Sequence, residues 1–106
     1  MDRDKFIKGM KSDISFDVEQ IDDILAHSIV RNGKNTQNII CMEELAELQQ
    51  QISKHLRGKK DRYSLLEEMA DCYICLRLLA LMYRFSDDEV GKAIGVKIQR
   101  EKERLE

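Results

Sequence analysis

Two pairs of acidic residues at helical spacing carry the strongest chemical signal in this sequence. Glu44 and Glu47 lie three residues apart, and after a spacer of twenty residues Glu68 and Asp71 repeat that spacing. Residues three apart on a helix lie about 60° from one another, so each pair projects from one face. The residues around Glu68 and Asp71 are mostly apolar, and an unpaired buried carboxylate is strongly unfavourable. We therefore expect these acids to bind a cation.

The residue types at this site predict which cation it binds. Four carboxylates without a histidine form an all-oxygen site, which suits Mg²⁺ or Mn²⁺ rather than zinc. A ferritin-like di-iron bundle needs Glu-x-x-His, and neither His27 nor His55 follows a glutamate at that spacing. Taken alone, Glu44 and Glu47 also fit an ordinary solvated helix face, and the neighbouring Glu43 points to solvent.

Apolar residues recur at helical spacing along most of the chain. There is no Pro and there are only 5 Gly, which favours a few long helices over a many-stranded sheet. We predict an all-α bundle of four main helices, together with a short helix within residues 1–12. The main helices are predicted over residues 16–31, 36–57, 64–85 and 86–106.

Capping residues set the predicted helix ends. Gly33 suits a left-handed cap at the end of the first main helix, and Gly58 ends the second. Two capping boxes are predicted, one over Ser64–Glu67 and the other over Ser86–Glu89. These boxes start the third and fourth main helices.

The second and third main helices are joined by a short basic turn, residues 58–62, and should form a central antiparallel hairpin. In that hairpin the two acid pairs face each other with an offset of one or two turns. The third helix is apolar nearly all round after Asp71, and its one charge there, Arg77, points away from the acids. The apolar stripe of the second helix consists of Cys41, Leu45, Leu48, Ile52 and Leu56.

Length and charge limit the classes of function. The 106 residues suffice for one domain, which we place at residues 16–106, with residues 1–15 as an N-terminal extension or short helix. Lys and Arg total 18 against 20 Asp and Glu, so the net charge is -2, which argues against nucleic-acid binding through phosphate contacts. The longest weakly charged run, residues 72–83, is too short to cross a bilayer. We predict no nucleic-acid partner and no membrane partner.

Cysteine use and the first residues of the sequence predict a cytoplasmic protein. No apolar signal segment follows Met1, and three cysteines without such a signal favour reduced thiols. Cys72 and Cys75 form a C-x-x-C pair within an apolar helix, whereas a redox pair belongs at a helix N-terminus, where the thiolate is stabilised. We therefore predict that these thiols belong to the core.

The acidic pattern resembles the metal motif of the all-α NTP pyrophosphatase superfamily, which includes MazG-like proteins, dimeric dUTPases and phosphoribosyl-ATP pyrophosphatase. The resemblance covers about residues 20–105 and, outside the acids, rests on Gly33, Gln37 and residues 43–48, 52–54, 97–100 and 104. The sequence departs from the family at Asn32, where an aromatic residue often precedes the glycine, and at Arg100 and Glu101, where many members have Asn. Both departures lie where the family contacts nucleotide, so they bear on which nucleotide is bound.

The resemblance implies Mg²⁺-dependent hydrolysis of NTP or dNTP to NMP or dNMP and pyrophosphate. It assigns metal binding and catalysis to Glu44, Glu47, Glu68 and Asp71. It assigns substrate binding to Gln37, Lys54, Lys97, Arg100 and Arg104. The alternative for the last three residues is an ordinary basic surface stripe that pairs with Glu101 and Glu103.

The resemblance also implies a homodimer or homotetramer, in which the C-terminal basic helix reaches a site shared between chains. A third helix that is apolar on most sides supports this, because large exposed apolar surfaces mark interfaces. The alternative function is a non-catalytic helical interaction module that keeps the fold. The complete set of four acids favours the enzyme, because a binding module has no need to bury them.

Overall fold

Helices account for most of the chain. The structure, a computed structural model, describes residues 3–106, and these residues form five helices and no strand. The helices are α1 (Arg3–Met10), α2 (Val18–Asn32), α3 (Lys34–Leu56), α4 (Arg62–Tyr83) and α5 (Asp87–Arg104). The all-α prediction is confirmed for the described residues. The short helix predicted within residues 1–12 is α1, and residues 1 and 2 of the predicted extension lie outside the described residues.

Local hydrogen bonds set both ends of α2. The Asp17 carboxylate accepts from the Gln20 N–H at 2.8 Å, and the Gln20 side chain accepts from the Asp17 N–H at 2.9 Å. This capping box starts α2 two residues later than predicted. At the other end Gly33 has a φ of 87°, and its N–H donates to the Ile29 carbonyl at 2.9 Å. Gly33 is the cap with a positive φ, as predicted, but its ψ of 150° lies outside the left-handed helical conformation, and α3 starts at the next residue.

The start of α4 differs from the sequence prediction. Asp61, rather than Ser64, is the N-cap, because its carboxylate accepts from the Ser64 N–H at 3.1 Å. Aspartate caps a helix as well as serine does, and the earlier cap allows a longer helix. The Ser64 hydroxyl accepts instead from the Arg3 guanidinium of α1, which also pairs with Asp61. The predicted Ser64–Glu67 capping box was therefore wrong.

A sharp corner separates α4 from α5. Arg84 ends α4 with a φ of 60°, and it is the one non-glycine residue with a positive φ among residues 3–106. The predicted capping box at the start of α5 is confirmed. The Ser86 hydroxyl accepts from the Glu89 N–H at 3.1 Å, and the Glu89 carboxylate accepts from the Ser86 N–H at 3.1 Å.

Helices α3 and α4 form the main packing unit. The Cys41 thiol on α3 donates to the Cys75 carbonyl on α4 at 3.7 Å, and one turn later the Cys72 thiol donates to the Glu44 carbonyl at 3.5 Å. Since the α3 numbers rise while the α4 numbers fall, the helices pack antiparallel, as predicted. This register brings the first half of α4 alongside the middle of α3, where the acids lie.

The core is small and lies toward one end of the hairpin. Its residues are Cys41, Cys75, Leu78 and Met82, with Leu25, Ile29 and Leu79 packed against them. The predicted α3 stripe is only partly covered. Cys41 is buried and Leu48 half-buried, whereas Leu45, Ile52 and Leu56 are at least 42% exposed. Within this chain, therefore, much of the apolar surface of α3 lies in contact with solvent.

The first two helices pack at opposite ends of α4. Phe6 of α1 packs edge-on against Tyr63, with ring centroids 6.4 Å apart. α2 contributes Leu25 and Ile29 to the core, and Asp22 pairs with Arg77. Arg77 thus points away from the acids, as the sequence predicted.

α5 is exposed along its whole length, and every residue from 83 to 106 is open to solvent. Among residues 3–106, one side-chain hydrogen bond or ion pair joins α5 to the other helices, namely the pair of Arg77 with Asp87 at 2.5 Å. The arrangement of four packed helices stays a prediction. No helix in the described part of the chain combines the length and apolarity needed to span a membrane.

Candidate metal centre

Three of the four predicted acids converge between α3 and α4. Glu44 of α3 and Glu68 and Asp71 of α4 each offer a carboxylate oxygen, and these oxygens all lie within 4.8 Å of one another. All three residues are half-buried. We refer to Glu44, Glu68 and Asp71 as the acidic trio. A separation of this size allows one cation to contact a ligand oxygen from each residue.

Glu47, the fourth predicted acid, lies at the edge of the trio. Its side chain is exposed. It lies close enough to Glu68 that its charge, and a hydrogen bond between the two carboxyl groups, act on the pKa of Glu68. The predicted offset of one or two turns between the pairs was wrong, because the bonds of Cys41 with Cys75 and of Cys72 with Glu44 put the two pairs at nearly the same level. Glu47 is the more solvated acid and lies at the opening.

Cysteine side chains maintain the register that brings the trio together. Cys72 lies next to Asp71 in the chain and donates to the backbone carbonyl of Glu44. Cys41, one turn before Glu44, makes the equivalent bond to Cys75. These two bonds fix α3 against α4 directly beside the acids.

Burial and mutual repulsion oppose ionisation within the trio. Burial is the main cause that raises the pKa of Glu44 to about 7, and the charge of Asp71 and a hydrogen bond with Asp71 add to it. Burial also raises the pKa of Glu68, together with the charges of Glu47 and Asp71. The charged groups that act on these two pKa values are acids. A bound cation would favour the ionised carboxylates, because it offsets both the cost of burying their charge and their mutual repulsion.

Two oxygen atoms of the trio have no partner of their own. The Oε2 atoms of Glu44 and Glu68 are buried and accept no hydrogen bond from the described residues. Buried polar atoms are almost always satisfied, so each of these oxygens calls for a donor or a cation. The hard, all-oxygen character of the set fits Mg²⁺ or Mn²⁺.

A fifth acid, Glu67, was missed by the sequence reasoning. It is 8% exposed, the most buried acid in the described chain, and its Oε2 atom is also without a hydrogen bond. From the sequence, Glu67 was predicted to be the last residue of a capping box. In α4, Glu67 lies on the same side as Ser64 and Asp71, one turn from each. Its position four residues before Asp71 in an apolar helix was the available signal.

The predicted substrate-binding residues do not meet the trio within one chain. Gln37 is buried, about two turns of α3 before Glu44. The four predicted basic residues are exposed, and among residues 3–106 no hydrogen bond or ion pair joins them to the acids. They are Lys54 of α3 and Lys97, Arg100 and Arg104 of α5. Arg104 pairs with Glu101 at 3.2 Å, as the surface-stripe alternative predicts.

The remaining candidate ligands have structural roles. Cys41, Cys72 and Cys75 are free thiols and buried. Burial, followed by a hydrogen bond with Cys41, raises the pKa of Cys75 to about 12, and burial also raises the pKa of Cys72. Cys72 and Cys75 thus stay protonated, as the core interpretation of the C-x-x-C pair predicts. His55 contacts the Gln51 carbonyl at 3.0 Å and accepts from the Asp61 N–H at 3.3 Å, which fixes the turn between α3 and α4.

Comparison of the chain with models of known protein families, with curated proteins and with solved structures gives no match. The resemblance described above therefore depends on the motif residues themselves. The geometry adds one independent observation to it, namely that acids from both halves of the motif lie within 4.8 Å in the folded chain.

Proposed function

We propose that this protein is a Mg²⁺-dependent nucleoside triphosphate pyrophosphohydrolase that acts in the cytoplasm. In this reaction, NTP or dNTP and water give NMP or dNMP and pyrophosphate. One observation carries the proposal: carboxylates from both acid pairs converge, with buried and unpartnered oxygens on Glu44 and Glu68. The resemblance of the motif to the all-α NTP pyrophosphatases names the reaction.

Charge explains why a divalent cation belongs in this reaction. A nucleoside triphosphate carries about four negative charges, and the acidic trio repels it. Glu44, Glu68 and Asp71 would hold the ion, and Glu47 at the opening would be a further ligand. When bound, Mg²⁺ would neutralise charge and lower the pKa of a water molecule.

The side chains of the protein have two tasks in the reaction. The acids would orient a water molecule toward the α-phosphorus. A bond forms between the water oxygen and that phosphorus, the bond to the α–β bridging oxygen breaks, pyrophosphate leaves and the proton of the water passes to solvent. Basic residues stabilise the charge that develops on the leaving oxygen. In this proposal Lys54, Lys97, Arg100 and Arg104 supply those positive charges.

The position of the basic residues is the reason to propose a homodimer or homotetramer. α5 carries Lys97, Arg100 and Arg104 away from the acids of its own chain, so the proposed site is complete only when another copy contributes its α5.

An apolar cleft of about 400 Å³ lies between α4 and α5. Its walls include Tyr73 and Leu76 of α4, which are 71% and 57% exposed. A second copy would cover these side chains, because large exposed apolar surfaces mark interfaces.

A non-catalytic helical interaction module is the second candidate, and the same exposed apolar surfaces of α4 and α5 favour it. Product analysis separates the two functions. Purified protein is incubated with Mg²⁺ and each of the common NTPs and dNTPs, and pyrophosphate and monophosphate are quantified. The enzyme proposal expects both products in equal amounts. Orthophosphate and diphosphate as the primary products contradict it, and the absence of any product favours the interaction module.

A further inference from the structure

The polar contacts of α5 with the other helices lie at one end only. All its residues are exposed, and the Arg77–Asp87 pair in its first turn is the one side-chain hydrogen bond or ion pair that joins it to the other described helices. The left-handed corner at Arg84 and the Ser86–Glu89 capping box fix the start of the helix. The direction of the remaining turns therefore depends on this first turn.

Arg77 joins three helices through one guanidinium group. Its Nε and Nη2 atoms donate to the two carboxylate oxygens of Asp22 on α2, at 2.7 and 2.6 Å. Its Nη1 atom donates to Asp87 on α5 at 2.5 Å. The planar fork of arginine makes these bonds together, whereas the single ammonium group of a lysine cannot reproduce the fork.

The two partners of Arg77 differ in their surroundings. Asp22 is 27% exposed, and the hydrogen bond from Arg77 holds its pKa below the ordinary value. Asp87 is 73% exposed and accepts one bond rather than two. The pair with Asp22 therefore anchors the guanidinium. The pair with Asp87 orients α5, and because it is exposed, salt can screen it.

We infer that Arg77 is a positioning residue, which sets the direction of α5 through Asp87 and so determines where the basic edge of α5 lies. The basic edge consists of Lys97, Arg100 and Arg104. The role of that edge in binding triphosphate rests on the proposed function, but the positioning of α5 does not. Arg77 touches neither substrate nor metal in this account, and it acts through Asp87.

The chain offers a matched pair of variants for the test. Asp87 and Asp88 both lie in the first turn of α5, where each negative charge interacts favourably with the helix dipole. Asp87→Asn removes the negative charge that pairs with Arg77 and leaves a weaker, neutral acceptor. Asp88→Asn removes a similar charge that is not paired with Arg77. Arg77→Lys keeps the positive charge but loses the fork.

Spin labels measure the direction of α5 without any assay of activity. Labels are placed on cysteines introduced at Asp23 on α2 and Lys102 on α5, which are both exposed, while the native thiols are buried. Excess unlabelled protein is added, so that each measured distance lies within one chain. We expect one narrow distance distribution for the parent and for Asp88→Asn. We expect a shifted or broadened distribution for Asp87→Asn and for Arg77→Lys.

Identical distributions for Asp87→Asn and Asp88→Asn would overturn the inference. Kinetics provides the second readout. If the basic edge binds triphosphate, Asp87→Asn raises KM about threefold to fivefold relative to Asp88→Asn, with a smaller effect on kcat. If the parent protein hydrolyses no triphosphate, the proposed function fails, and the distance measurement still decides the role of Arg77.

Discussion

Glu44 and Asp71 approach each other from opposite helices of the α3–α4 hairpin, with carboxylate oxygens within 4.8 Å. Burial, followed by the charge of Asp71, raises the pKa of Glu44. The hairpin thus keeps two acids together although their proximity is unfavourable without a counter-ion. An arrangement of this kind is typical of functional sites, where stability is given up for binding.

Replacement of Asp71 should separate metal binding from folding. Asp71→Asn removes one charge from the trio at nearly constant volume, so the metal-free protein should be as stable as wild type or more stable. The variant should lose metal-dependent hydrolysis and most of the stabilisation that Mg²⁺ gives wild type. That stabilisation is expected to be about 10 °C at saturating Mg²⁺. Thermal melts at neutral pH, with and without Mg²⁺, measure both effects.

Glu43→Gln is the matched control for this experiment. Glu43 lies next to Glu44 in the chain and is exposed, so its replacement should alter neither the Mg²⁺ effect nor hydrolysis. A metal-free Asp71→Asn protein that melts far below wild type would show that Asp71 is a structural hydrogen-bond acceptor, and the metal assignment on α4 would be wrong.

Stability of the metal-free protein should fall as pH rises toward neutrality. The pKa of Glu44 is about 7 in the folded chain, against an ordinary value of 4.5, so between these pH values the folded state holds a proton that the unfolded state has released. That proton stabilises the fold fully below about pH 4.5, and the contribution is lost as pH rises through about 7. Urea unfolding in EDTA at pH 5, 6, 7 and 8 measures the decline.

Glu44→Gln tests the origin of this pH dependence. The amide does not titrate, so the variant should show a flatter stability profile over the same range. Mg²⁺ should bind wild type more tightly as pH rises, because binding displaces the proton. A wild-type stability that increases from pH 5 to pH 7.5 would contradict the raised pKa of Glu44.

The basic edge of α5 should affect substrate and leave metal binding unchanged. Lys97→Ala or Arg100→Ala is expected to lower kcat/KM about 10- to 100-fold, because each variant loses a charge-assisted contact with phosphate. Lys102→Ala is the control, since Lys102 lies on the same helix but on another side. Steady-state kinetics and Mg²⁺ titration of the metal-free protein give the two quantities. If both variants have wild-type kinetics, Lys97 and Arg100 belong to an ordinary basic surface stripe.

The apolar side of α5 should be required for self-association. Ile94 is 57% exposed and lines the cleft between α4 and α5, so Ile94→Glu should convert the dimer or tetramer to a monomer. Val96 is 51% exposed but lies about 160° away around the helix, so Val96→Glu should leave the assembly intact. Sedimentation velocity at micromolar concentration distinguishes these states. A wild-type monomer under these conditions would contradict the oligomer proposal.

The sequence predicted features that local residues determine. The Gly33 cap and the Ser86–Glu89 capping box depend on residues within one turn, and both are present. The start of α4 could not be predicted in this way, because Asp61 and Ser64 are both good N-caps. The choice depends on Arg3, which is distant in the chain and contacts both residues.

The candidate site shows the same limit. Helical spacing placed Glu44, Glu68 and Asp71 on facing sides, and an antiparallel hairpin brings them together. Glu67 was interpreted as part of a capping box at Ser64, so its burial was not predicted. The course of α5 depends on the pairing of Arg77 with Asp87, and the apolar stripe of α5 by itself does not specify what covers it.

The small thiol side chains between α3 and α4 also bear on ion size. Cys41, Cys72 and Cys75 are at most 6% exposed and take less volume than leucine would, so the two helices can lie close together. Oxygen ligands lie about 2.0–2.1 Å from Mg²⁺ and about 2.3–2.6 Å from Ca²⁺. For the proposed site, the distance between α3 and α4 therefore selects cations by their ionic radius. A bulkier residue at Cys72 would spread the helices and shift the preference from Mg²⁺ toward Ca²⁺.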